Sequence, residues 1–405
     1  LRVERRGAVA LEGGLVRAAG PEDAVHAAHP GAAVTSHGEA LIAPGFVDAH
    51  AHTPQTGIVA AWGSRLLEWL ERHTFPEEAR CADPGHAARV AERHLDLALA
   101  HGTTSVASYC TSHEASVEAF FAAAEARGMR VAGGLTCMDR NVPDALLIGA
   151  REAYDASKAL AERWHGRGRA SYAVTPRFAP TSTPAQLEAL GALWAERPDC
   201  LMQTHLSEQV EEVAWVAELF PDAPDYLGVY ERFGLVGPGA LFGHAIHLTP
   251  RERARLAESG AAAIHCPTSN AFIGSGLMEV ARARADGIAV GLATDTGGGS
   301  SFSMLRTMAA AYEAGQLTGT ALHPAQLMWL ATEGSARAMR IGDRVGRIAP
   351  GMEADLVVLD LASTPAIAQA AARAEDPWQA LFPTIMMGDD RAVAATYVAG
   401  RRTGA

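Results

Sequence analysis

Between about residue 40 and residue 300, short β-rich apolar runs alternate with longer stretches in which apolar residues recur at helical spacing. Eight apolar runs mark strand candidates, at 41–52, 103–110, 130–138, 170–178, 201–205, 240–247, 261–266 and 288–295. Helical patterns follow them, such as 86–100, 116–127, 184–196 and 251–259. This is the rhythm of repeated βα units around a parallel sheet, and a count of eight favours a closed (β/α)8, TIM-like barrel over an open doubly wound sheet. The flanks read differently: 1–43 and 346–405 are short β-like pieces broken by Gly and Pro, such as 354–359 and 394–398. They are expected to pair into one small composite β-sandwich domain beside a barrel spanning 44–345.

The polar residues inside the apolar runs carry the chemistry. His50, His52, Arg177, His205, His244 and Asp295 all fall at or near the carboxyl ends of strand candidates, the end of a barrel where active sites are built. His50 and His52, two apart on a strand, point to the same face and form a chelating pair. An isolated HxH is more often a hydrogen-bonded core or surface pair than a metal ligand; here His205, His244 and Asp295 bring the donors at one mouth to five. Imidazoles with one carboxylate and an open position suit Zn²⁺ or Fe²⁺.

Composition narrows the partners. The chain has 405 residues, 48% of them hydrophobic, enough for a large domain with a full core. With 34 basic and 46 acidic residues the net charge is −12, which repels nucleic acid and anionic membranes. No apolar run reaches the roughly 18 residues of a membrane span, and no charged-then-apolar signal pattern opens the sequence. Cys81, Cys110, Cys137, Cys200 and Cys266 are odd in number and never spaced as CxxC, so neither a disulfide framework nor a thiolate zinc knuckle is indicated and a cytoplasmic location fits.

Several longer motifs resemble one family. PGFVDAHAHTPQ (44–55), LLEWLERHTFPEEAR (66–80), VTPRFAPTS (174–182), THLSE (204–208), HCPTSN (265–270), ATDTGGG (293–299) and MGDDR (387–391) look like the guanine deaminases of the amidohydrolase superfamily. The resemblance implies one zinc per subunit held by His50, His52, His205 and Asp295, with His244 beside the bound water. It makes Glu208 the proton shuttle, places Gln55, Arg177, Phe178 and Glu208 against a purine, and suggests a homodimer. Lys158, the only lysine, lies in the helical stretch 154–164, which excludes the lysine-bridged metal pair seen in some sites of this superfamily and makes Lys158 a solvated helix residue.

Each role has a plainer counterpart. Glu208 could be a carboxylate favoured by the helix dipole of 211–219, Arg177 an ion-pair partner, Phe178 core and Gln55 a loop amide. Against these stand the three-residue link from His205 to Glu208, and the capacity of Arg177 to fork onto purine acceptors and of Gln55 to pair with a purine edge. His247 and His265 are read as structural, and the 297–299 glycines as tight backbone beside Asp295 rather than a phosphate loop. Rival readings are a deaminase of a related ring (8-oxoguanine, a pterin, a chloro-triazine) and a non-catalytic scaffold that kept the barrel. A cytidine-deaminase-type site would need HxE with PCxxC and is set aside.

Overall fold

Gly45 divides the first strand candidate in two. A computed structural model describes residues 2–63 and 65–403, and a Cβ added at Gly45 would lie 2.3 Å from Thr104 Oγ1, so only glycine lets the chain cross here from one sheet to another. In chain order the strands are β1 (Gly7–Glu12), β2 (Leu15–Pro21), β3 (Leu41–Pro44), β4 (Phe46–His52), β5 (Thr103–Tyr109), β6 (Arg130–Gly134), β7 (Thr136–Cys137), β8 (Ala170–Pro176), β9 (Leu201–Leu206), β10 (Ala240–His244), β11 (Ala262–His265), β12 (Ala289–Leu292), β13 (Leu356–Leu359), β14 (Val393–Val398) and β15 (Arg401–Arg402). β4, β5, β6, β8, β9, β10, β11 and β12 follow one another in a parallel sheet, with β7 pairing β8. β12 returns to β4, where Asp295 N–H donates to His50 O at 2.9 Å and His52 N–H to Thr296 O, so the eight strands form the expected barrel.

The helices around it start and stop on local signals. Asp83, Thr183 and Thr249 cap three of them with side-chain oxygens on backbone N–H groups, each followed by a proline whose missing N–H is no loss in the first turn. Gly260, at φ +72°, ends the helix that Thr249 opens, and Gly128, at φ +66°, ends another. Large side chains such as Phe120, Phe242 and Leu190 fill the layer between strands and helices. The barrel axis carries mostly small ones, among them Ala49, Ala107, Ala132, Ala173 and Ala262.

The flanks build two antiparallel sheets. β3, β13, β14 and β15 form one. The hairpin β1–β2 forms the other, fastened by Val16 N–H to Met352 O and Gly351 N–H to Val16 O. The stretch read as β-like pieces also holds two helices, Pro365–Ala371 and Pro377–Met387. The second packs on barrel helices Met304–Leu317 and Pro324–Trp329. Caps at Thr364 and Asp376 explain them, since both residues look like loop residues until the helix behind them is seen.

Beneath the barrel, Glu353 receives Arg130 and Arg169, and Arg169 also reaches Asp355 at 2.7 Å, all four side chains at 15% exposure or less. The cluster ties the floor strands to the small sheet. Glu353→Ala leaves two largely buried guanidinium groups short of a partner and should destabilise the chain by about 2–4 kcal/mol; urea denaturation checks this, and an unchanged midpoint removes the cluster from the fold's stability.

Candidate active site

Three imidazoles and one carboxylate meet at the carboxyl ends of β4, β9 and β12. His52 Nε2 lies 3.2 Å from His50 Nε2 and 3.2 Å from His205 Nε2, and Asp295 Oδ1 lies 3.4 and 3.2 Å from the Nε2 atoms of His50 and His52. All four residues are buried. Burial pushes His52 down to about 4 against the opposing pull of Asp295, and burial followed by the neighbouring imidazoles and Arg177 pushes His205 well below the ordinary imidazole value. His205 Nδ1–H donates to Arg177 O at 2.7 Å, which leaves its Nε2 lone pair facing the cluster. Lone pairs so crowded repel unless a cation lies between them. Ligands about 2.0–2.1 Å from a tetrahedral centre stand roughly 3.3 Å apart, the spacing observed here, so these residues fit a single divalent ion. Burial alone would raise the Asp295 carboxyl; its hydrogen bonds and charge contacts with the histidines bring it well below the usual range.

The backbone under the cluster is set by Asp48. Its Oδ1 accepts Thr294 N–H at 3.0 Å and His50 N–H at 3.3 Å, and its Oδ2 accepts Thr294 Oγ1–H at 2.5 Å. The pairing of β4 with β5 is irregular between Asp48 and Ala51, so Val47 and Ala49 pack along the axis while Ala51 joins the outer layer and His50 and His52 reach the mouth. Tyr109 supports the imidazoles from β5, its ring centroid 4.6–4.9 Å from those of His50, His52 and His205.

His244 and Glu208 stand beside the cluster. His244 Nδ1–H donates to Asn270 Oδ1 at 2.9 Å, leaving Nε2 between Glu208 Oε2 at 3.4 Å and Asp295 Oδ2 at 3.8 Å. Glu208 Oε1 accepts from Ser275 Oγ at 2.9 Å. Its backbone N–H and that of Gln209 both donate to Glu212 Oε2, whose other oxygen takes the Tyr226 hydroxyl. Burial, with the charge of Asp295 second, raises the Glu208 carboxyl to about 8.

The same pocket is lined by Gln55, Leu66, Trp69, Leu70, Arg177 and Phe178. Phe178 stands edge-on to His205. Arg177 is both a pocket residue and an ion-pair partner: its Nη1 donates to the two oxygens of Glu78 at 2.8 and 2.7 Å, and its guanidinium lies over the Phe75 ring. A fork through both terminal nitrogens is therefore not free, and the edge left to face a ligand is Nε with Nη2. Glu78 also accepts Gln55 Nε2–H at 2.8 Å. The LLEWLERHTFPEEAR motif thus has a structural reason. Its helices Leu66–Trp69 and Phe75–Ala79, joined by a π-helical turn, line the pocket at one end and hold Arg177 from behind at the other.

The remaining sequence candidates fall elsewhere. His247 Nε2–H donates to Ser275 O at 2.8 Å. His265 is buried, is pushed down by burial to about 3, and has no partner among the described residues. Lys158 pairs with Glu196 and Tyr154 on the helix Ala150–Trp164. Gly297 lets Gln55 close in, since a side chain there would meet Gln55 Cβ at 2.5 Å, and one at Gly299 would strike Thr294 O. Glu78, Asp48, Asn270 and Ser275 were not singled out from the sequence. For Glu78 the signal was faint, an acid behind Pro76 that reads like any first-turn carboxylate.

Gly243 offers a direct test of the cluster. A Cβ there would lie 2.6 Å from His50 Cε1 and 3.0 Å from its Nδ1, so Gly243→Ala should push the ring aside and lower bound metal per chain while the circular dichroism spectrum stays unchanged. Full metal retention would show that His50 is not needed where it stands.

Comparison with known proteins identifies the family. The profile described as "Amidohydrolase family" matches residues 41–403. The guanine deaminase of Escherichia coli (strain K12) is 43% identical over 361 residues, covering 89% of this chain and 82% of that protein. Among solved structures, E. coli guanine deaminase superposes with a TM-score of 0.96 at 41% identity, over 98% of this chain and 92% of that one. Guanine deaminase from Bradyrhizobium japonicum gives 0.94 at 38% identity over 98% and 92%. A family match over residues 41–403, with identity and superposition along nearly the whole sequence, places this chain in the amidohydrolase family.

Proposed function

We propose that the chain hydrolyses guanine to xanthine and ammonia, with one Zn²⁺ held by His50, His52, His205 and Asp295. The observation that carries the reading is one pocket in which a four-donor cluster, a buried carboxyl and an Arg–Glu–Gln network all face the same space, in a chain 43% identical to a guanine deaminase. A zinc ion bound there lowers the pKa of water from 15.7 to about 7 and so makes a hydroxide nucleophile available at neutral pH. Fe²⁺ suits the same donors, and metal analysis of protein purified without added zinc separates the two. A homodimer, supported by the resemblance, and a cytoplasmic location, supported by five cysteines that form no disulfide framework, belong to the same proposal; among the described residues no helix is long and apolar enough to cross a membrane.

The chain's own residues divide the proton work. Asp295 Oδ2, on the side of its carboxylate nearer His244, takes a proton from the attacking water. His244, its Nδ1–H committed to Asn270, accepts a hydrogen bond at Nε2 and holds that water in line with C2. Glu208, raised to about 8, carries its proton near neutrality; it protonates ring N3 as C2 is attacked, then takes the proton of the new hydroxyl on C2 and passes it to the departing amine, which leaves as ammonia as the carbonyl forms, and the proton held by Asp295 returns to Glu208 to restore the starting state. Arg177 and Gln55 hold the purine edge and Phe178 walls the ring.

Glu208→Gln should keep its zinc and lose turnover by about 10²–10⁴-fold; loss of metal instead would mean that Glu208 is not the shuttle. His52→Ala should lower zinc below one per chain. The deciding experiment incubates the zinc-loaded protein with guanine, 8-oxoguanine, adenine, isocytosine, a pterin and an amino-triazine, following product mass and ammonia. Preferred conversion of guanine to xanthine is expected. Another preferred ring would keep the metal chemistry and overturn the reading of Gln55 and Arg177, and no reaction despite bound zinc would favour a scaffold.

A further inference from the structure

Glu78 is a buried carboxylate at this site with no place in the chemistry above. It is fully buried and stands behind the pocket wall rather than in it. Its partners are two pocket residues outside the donor cluster, Gln55 through Nε2 at 2.8 Å and Arg177 through Nη1 at 2.8 and 2.7 Å. A carboxylate cannot donate, so the amide of Gln55 must turn its NH₂ toward Glu78 and leave its carbonyl oxygen as the free end. The same contact takes one end of the Arg177 fork, and among the described residues no hydrogen bond occupies Nε or Nη2.

We infer that Glu78 is a positioning residue that fixes the hydrogen-bonding polarity of the pocket, making Gln55 an acceptor and Arg177 a donor, and so selects a ring edge in which N–H adjoins C=O. The inference rests on the deaminase reading and adds to it what the pocket rejects. A lactam edge satisfies both side chains. An amino-substituted edge, with NH₂ on the ring carbon and a bare ring nitrogen beside it, sets donor against donor at Arg177 and acceptor against acceptor at Gln55. Mismatches of this kind discriminate strongly, because buried polar groups are left unpaired. Without the carboxylate, Gln55 can present either end and Arg177 loses its counter-charge.

The test compares guanine with 2,6-diaminopurine, which carries the same 2-amino leaving group but has an amino group for the 6-oxygen and no proton on N1. In Glu78→Gln, zinc content should stay at the wild-type level, KM for guanine should rise more than kcat falls, and the ratio of kcat/KM for guanine over diaminopurine should drop at least tenfold. A residue that merely supports the fold would depress both substrates together, so an unchanged ratio overturns the inference. Should Glu78→Gln not fold, the exchanged pair Gln55→Glu/Glu78→Gln keeps the charge, the hydrogen bond and an acceptor at position 55. Wild-type selectivity in that variant supports the assignment, and its loss overturns it. If the wild-type protein turns over neither purine, the deaminase reading fails, and polarity is decided by calorimetric binding of hypoxanthine against adenine. A preference for hypoxanthine that Glu78→Gln abolishes upholds the role of Glu78; equal binding, or none, refutes it.

Discussion

The seam where the last barrel strand meets the first is the constraint on which the rest of the structure depends. Asp48 draws the backbone of Thr294 and that of His50 onto one carboxylate, and Asp295 N–H reaches His50 O across the same gap. Closing the barrel and assembling the donor cluster are therefore one event, because His50, His52 and Asp295 come from the two strands being joined. Hydrogen bonds to a charged acceptor are individually stronger than neutral ones, and three of them converge on Asp48. The seam can thus hold His52 at 3.2 Å from His50, His205 and Asp295, and His50 at 3.4 Å from Asp295, although their lone pairs oppose that approach.

Backbone strain gathers at the same rim. Ser207, His244, Ala245 and Asp295 all have positive φ between +49° and +68° without being glycine, a conformation that costs of order 1–3 kcal/mol per residue when the side chain is not suited to it. The surroundings hold them there: Ala245 N–H binds Leu206 O, and the N–H groups of Ile246 and His247 both bind Ser207 O. Each such residue turns the chain sharply as it leaves a strand. That turn swings Glu208 and the side chains of His244 and Asp295 into the mouth rather than along the outer wall.

Much of this was legible in the sequence, for a physical reason. Barrel strands buried on both faces read as continuous apolar runs, so 103–110 and 170–178 lie within two residues of the observed strands, and a polar residue ending such a run stands out. His50, His52, His205, His244 and Asp295 were visible on that ground alone. What escaped depends on partners far apart in the chain. The break at Gly45 is forced by Thr104 and by the separate pairing of β3 with β13. The part played by Glu78 exists only because Gln55 and Arg177, 23 and 99 residues away, fold onto it. The helices Pro365–Ala371 and Pro377–Met387 lie in a stretch where β-like pieces at either side drew the eye.

The crossing at Gly45 also bears on how the chain comes to be folded on the ribosome. Leu41–Pro44 pairs only with Leu356–Leu359, about three hundred residues downstream, while Phe46 begins the first barrel strand directly after it. During synthesis the whole barrel must emerge while this short apolar segment waits with its edge open, and Val16 waits likewise for Met352. Contacts of such long sequence separation form late and leave sticky edges exposed in the meantime. The interval between the emergence of β3 and that of β13 is therefore the period in which a nascent chain is most open to capture by chaperones or by its neighbours on the same message.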